Sequence, residues 1–175
     1  MFKKIGSLGR FGGPVLVDRV ITNSVAVKVG DAVKTSAGFA ALAAATDAVL
    51  GHVESVFTGV GFSPLTDGTG GAALGSFKGN IGDSYTAASD NQTVDKVSVR
   101  VDISTDSIYS VGADAALETT PGSSLAGKRF SLADETEMDE STVAATGLEY
   151  YSHGEDRNEA DNLIVNIISS EVFGA

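Results

Sequence analysis

Val97-Ser98-Val99-Arg100-Val101-Asp102-Ile103 places an aliphatic residue at every second position and Ser98, Arg100 and Asp102 between them. Side chains alternate across a strand, so this segment reads as a β-strand with one face on a core and the other face wet. Similar runs lie on both sides of it. Val15-Leu16-Val17, Val25-Ala26-Val27-Lys28-Val29, Val49 to Phe57 and Ile108-Tyr109-Ser110-Val111 are short, β-branched and bounded by turn residues. Leu163-Ile164-Val165-Asn166-Ile167-Ile168 is apolar on both faces except at Asn166, as expected of a central strand or one covered by a neighbouring subunit. Phe39 to Ala45 has helix propensity, but Gly30-Asp31 and Ala37-Gly38 are turn signals around a strand at 32–35, so this stretch is read as extended. The expected fold is mostly β.

Residues 59–82 carry eight glycines and no periodicity, which predicts a long Gly-rich loop. The chain then divides into an extended N-terminal arm (1–14), a first β unit (15–58), that loop, and a second β unit (83–175) with acidic C-terminal loops.

The 175 residues carry 12 Lys and Arg against 23 Asp and Glu, a net charge of −11. That is the wrong sign for a broad nucleic-acid surface. The acidity is concentrated, with 11 acidic and 1 basic residue in 134–175. A solvated acidic face is the expectation for Asp134 to Asp161. No cysteine is present, so disulfides, thiolate metal sites and a cysteine nucleophile are excluded. The longest uncharged, fairly apolar stretch, 35–46, is too short to span a bilayer, and the start lacks the apolar core of a secretory signal. A protein with neither membrane nor nucleic-acid partner is expected.

Catalytic and cofactor motifs fail on inspection. Gly122-Ser123-Ser124-Leu125-Ala126-Gly127-Lys128 has phosphate-loop spacing, but Arg129 stands where a magnesium-binding hydroxyl belongs and a strand, not a helix, follows. His52 and His153 are too few for a histidine metal site, and no G-x-S-x-G occurs. The acidic block lacks the calcium-loop pattern of Gly at the sixth and Glu at the twelfth position. Asn91-Gln92-Thr93 fits a glycosylation sequon but reads as a turn. The expectation is no catalytic residue, no cofactor and no metal.

The N-terminus is the peculiar segment. Lys3, Lys4 and Arg10 precede the first acidic residue, Asp18, and Phe2, Ile5, Leu8 and Phe11 are interleaved with glycines. Too short and glycine-rich to build a core, the segment is read as an arm that docks on a partner, the alternative being an arm that caps its own barrel. Removing residues 1–14 is then expected to leave the melting temperature of the isolated protein unchanged.

Val29-Gly30-Asp31-Ala32-Val33, Ala37-Gly38 and Ala45-Thr46-Asp47-Ala48-Val49-Leu50-Gly51-His52-Val53 together resemble the "GDxV … G … VLGxV" signature of tailed-phage capsid decoration, or cement, proteins. The resemblance implies a small β-barrel or β-tulip unit and a non-enzymatic virion structural protein that stabilises the outer capsid surface. It implies the major capsid protein as partner and self-association in a trimer or other symmetric cluster. Phe2, Lys3, Lys4, Ile5, Leu8, Arg10 and Phe11 are then the candidates for capsid contact. The alternative is an extracellular or appendage-associated β adhesin for cations or glycans.

Overall fold

In the computed structural model, residues 1–9, 14–45, 47–57, 77–93, 97–117, 125–144 and 150–168 are described. They form β1 (Lys3–Ser7), β2 (Leu16–Val20), β3 (Ala26–Lys28), β4 (Ala32–Ser36), β5 (Phe39–Leu42), β6 (Gly51–Phe57) and β7 (Phe77–Lys78). There follow β8 (Ser84–Thr86), β9 (Ser98–Asp102), β10 (Ser107–Gly112), β11 (Arg129–Leu132), β12 (Met138–Ala144), β13 (Tyr150–Glu155) and β14 (Asn162–Ile167). No helix occurs among the described residues, and the strands make three antiparallel sheets. Sheet A has the order β1-β10-β14-β13-β11-β12, sheet B the order β2-β9-β6-β4-β5 with β7 on β6, and β3 pairs β8 in a ribbon.

The mostly-β expectation holds, and no sheet closes into a barrel. Sheet B comes near to closing. Ile21, just past β2, makes an isolated parallel bridge to Ala40 of β5, joining the two ends of the sheet. Its concave side holds Ile21, Val33, Leu50, Val53, Val99 and Val101, with Val27 and Ala87 from the ribbon side of the molecule packed among them. Each large aliphatic side chain sealed there contributes about 1.5–3 kcal/mol. Sheet A supplies the second core, centred on Tyr109, Phe130, Met138, Tyr150 and Val165. β14 lies between β10 and β13, the central position expected of its two-faced apolar run.

Local chemistry explains the elements. The β4–β5 hairpin turns through Ala37 at φ 48° and Gly38 at φ 88°, with Ser36 paired to Phe39. Two central residues at positive φ match the right-handed twist of the strands, so the alanine-rich stretch is a hairpin and not a helix. The buried Asn91 side chain caps the turn before β9, accepting from Val97 N–H at 2.8 Å and donating to the Ile21 carbonyl at 2.7 Å.

The chain does not divide as its composition suggests. β9 belongs to sheet B with β2 and β6, and β8 pairs β3, so strands after residue 83 complete the first unit. β1 joins sheet A through β10, although residues 1–14 read as an arm. The Gly-rich segment contains β7 and a turn at 79–82, while residues 58–76 lie outside the described residues. These differences have one cause: strand pairing is decided by long-range partners that local composition does not reveal. The acidic block lies in β12, β13 and the turns beside them, and none of its described carboxylates is buried.

Candidate interaction face at the N-terminal strand

β1 is the edge of sheet A, and it is also the place where the two sheets meet. The Phe2 N–H donates to the Gly30 carbonyl at 3.0 Å, which ties the residue before β1 to the turn between β3 and β4. The Phe2 ring is 1% exposed. It stacks on Tyr150 at 5.3 Å, lies 4.2 Å from the His52 ring, and meets Tyr109 edge-on at 6.2 Å. Tyr109 and Tyr150 come from sheet A and His52 from sheet B, so one aromatic side chain from the N-terminus plugs the junction. Phe2 is therefore a core residue and not a docking residue. The arm reading fails at this position because the apolar cavity it fills is built by residues 50 to 148 positions away.

Gly30 is where the chain makes room for this strand. Its φ is +97°, and an added Cβ would lie 2.7 Å from the Phe2 carbonyl oxygen and 2.5 Å from Ile81 Cδ1. Only glycine meets both demands. Asp31 beside it accepts the Lys28 N–H at 2.7 Å, closing the turn, and burial pushes its carboxyl up to about 6 against that hydrogen bond.

Lys4 reinforces the junction electrostatically. Its Nζ lies 2.6 Å from Asp102 and 3.2 Å from Glu54. Asp102 also accepts from the Ser107 hydroxyl at 2.5 Å, the Tyr109 hydroxyl at 3.0 Å and the Ser104 N–H at 2.9 Å. Burial opposes its charge, but Lys4 and these donors hold the carboxyl below the usual carboxylate range. Burial likewise opposes the Lys4 charge, and the two carboxylates outweigh it and raise the amine. Asp102 was expected on a wet face. Its side chain is fully buried because sheet A and β1 cover that end of β9, and Ser98 at the other end is buried too.

His52 is sealed in the same junction and accepts or donates at Nε2 to the Tyr150 hydroxyl, 2.9 Å away. Burial lowers its pKa to about 3, so it is neutral. A neutral ring enclosed by three other rings joins the sheets; it is not presented to a substrate. His153, on β13, bonds Asn166 at 2.8 Å and is exposed. Among the described residues no group of His, Asp and Glu is arranged to hold a metal ion.

The other candidates divide by exposure. Lys3 is exposed and pairs with Glu159 at 3.5 Å. Ile5 is 47% exposed and sits at a bulge between Lys4 and Gly6. Leu8 is half-buried, with its N–H on the Asp106 carbonyl. Arg10 and Phe11 lie outside the described residues. Three exposed apolar residues went unnoticed in sequence: Val15 at 46%, Leu16 at 42% and Ile81 at 48%. Leu16 is paired with Asp102 on the edge strand β2, so it shares a face with the carboxylate that holds Lys4. A shallow cleft of about 260 Å³ lies alongside, lined by Lys3, Lys4, Val29, Glu54 and Ile81.

No family model, curated protein or solved structure matches the chain.

Proposed function

We propose that this chain is a non-enzymatic virion structural protein that decorates and stabilises the outer surface of a phage capsid, with the major capsid protein as its partner. One observation supports the reading most. Among the described residues, the edge strand β1 presents Ile5 to solvent, the start of the edge strand β2 and the residue before it present Leu16 and Val15, and Ile81 is the other large apolar side chain left exposed. Exposed apolar residues on sheet edges mark a surface for another protein. The "GDxV … VLGxV" residues run from the turn after β3 into β6, and the Gly30 carbonyl among them accepts the Phe2 N–H, which ties this stretch to the residue before β1. Net charge of −11 suits an exterior position away from packaged nucleic acid.

The test is binding of the purified chain to particles that lack it, read by cosedimentation and negative-stain microscopy. Regular surface protrusions at saturation are expected. Ile5→Asp with Leu16→Asp should lower occupancy at least about tenfold, since each buried aliphatic side chain contributes about 1.5–3 kcal/mol. The isolated variant should melt as the parent does. Absence of binding would overturn the reading, and glycan- or calcium-dependent adhesion in its place would establish the adhesin alternative.

A further inference from the structure

We propose that Lys4 and Asp102 condense to an amide, a covalent link that the chain makes by itself between β1 of sheet A and β9 of sheet B. This goes beyond capsid docking and stands whether or not the chain is a decoration protein.

The geometry holds more than an ion pair requires. Lys4 Nζ lies 2.6 Å from Asp102 Oδ2 and 3.2 Å from Glu54 Oε1, so one amine has an electrophile and a base within reach at once. The Asp102 side chain is fully buried, whereas those of Lys4 and Glu54 are 29% and 31% exposed. Its carboxyl lies against the ring cluster: the Tyr109 hydroxyl donates to it, and His52 stands opposite it in the β6–β9 ladder. Glu54 reaches the amine through a bulge. β6 pairs β9 as Val53 with Val101 and Ser55 with Arg100, which leaves Glu54 as the extra residue, and a bulge re-aims the side chain it carries.

Donors are set on both carboxyl oxygens. The Ser104 N–H donates to Oδ1 at 2.9 Å, and the Ser107 and Tyr109 hydroxyls donate to Oδ2 at 2.5 Å and 3.0 Å. A backbone N–H on Oδ1 stabilises the charge that develops there when Cγ is attacked.

The step balances without any other reactant. At rest the pair is ionic, and one proton moves from Lys4 Nζ to Asp102 Oδ2 to give a neutral amine and a neutral acid. The nitrogen lone pair forms the bond to Cγ while the carbonyl pair moves onto Oδ1. Glu54 takes a second proton from the nitrogen and passes it to Oδ2. The Cγ–Oδ2 bond then breaks, Oδ2 leaves as water, and the pair on Oδ1 restores the carbonyl. Nothing is oxidised or reduced, and Glu54 ends as the carboxylate it began as. Groups fixed in contact react at effective molarities of about 10⁵–10⁸ M, and one slow turnover in the life of the chain suffices. The cleft of about 260 Å³ lined by Lys4, Glu54 and Tyr109 gives the water a way out. The link would join residues 98 positions apart and fasten the N-terminal strand in a chain that has no cysteine to do so.

The test is the intact mass of the purified full chain in denaturant, beside those of Lys4→Arg and Glu54→Gln. The parent is expected to be lighter by one water than its residues require, and Lys4→Arg to have its full mass. Glu54→Gln, deprived of a base that contributes about 10²–10⁴-fold in rate, is expected mainly at full mass. Proteolysis of the parent should release the Lys4 and Asp102 peptides as one branched species. A parent at full mass overturns the inference, and so does a loss of water that persists in Lys4→Arg. Glu54→Gln as light as the parent would overturn the role given to Glu54. If Lys4→Arg does not fold, the parent's digest decides: the branched peptide supports the link, and two separate peptides overturn it.

Discussion

Phe2 does more for this fold than its neighbours in sequence suggest. Truncating a fully buried phenylalanine removes its transfer free energy and leaves a cavity among Tyr109, Tyr150 and His52. Phe2→Ala should therefore cost about 3–5 kcal/mol in chemical denaturation. Asp31 makes a separate prediction through pH. Its folded carboxyl titrates at about 6 against an ordinary value of 3.8, so the folded state binds more protons between those values. Stability from this group is highest below the lower value and is lost as pH rises through the upper one, by on the order of 1–3 kcal/mol. His52 acts in the opposite direction, weakening the fold as pH falls from 6.5 toward 3, because the unfolded ring takes a proton that the buried ring refuses. Comparing Asp31→Asn with the parent isolates the first contribution. The variant should be more stable at pH 7, with the difference vanishing near pH 4; equal pH profiles would show that Asp31 is not desolvated as described.

At the scale of elements, much was legible and the reasons are specific. β9 and β14 were readable because alternation and a two-faced apolar run report directly on how a strand is covered. The β4–β5 hairpin was readable because Ala37-Gly38 between two short runs is a turn signal stronger than alanine's helix propensity. Asn-Gly suits two positive φ values better than Ala-Gly, so Ala37→Asn should raise the urea midpoint by the equivalent of about 0.5–1 kcal/mol. Gly51 is the opposite case. An added Cβ would sit 2.2 Å from the Asp102 carbonyl oxygen, so Gly51→Ala should cost at least about 3 kcal/mol or prevent folding. β1 was not legible. Lys3-Lys4-Ile5-Gly6-Ser7 has no alternation because a bulge falls between Lys4 and Gly6, and its partners are far away in sequence. The burial of Asp102 was hidden for a related reason. Alternation tells which face a residue is on, not that sheet A covers one end of that face.

For the molecule as a whole, the N-terminal strand is both fastener and rim. Phe2 and Lys4 close the junction between sheets A and B, while Ile5 on the same strand is left outward. That division explains how a segment resembling a free arm is integral to the fold and still adjoins the candidate docking face. It also reverses the expectation for truncation. The central claim is tested most directly by the melting temperature of the isolated chain lacking residues 1–7. Losing the Phe2 contacts alone, at about 3–5 kcal/mol and about 2–4 °C per kcal/mol for a chain of this size, predicts a fall of at least about 6 °C. A melting temperature equal to the parent's would contradict the account and return residues 1–7 to the role of a free arm.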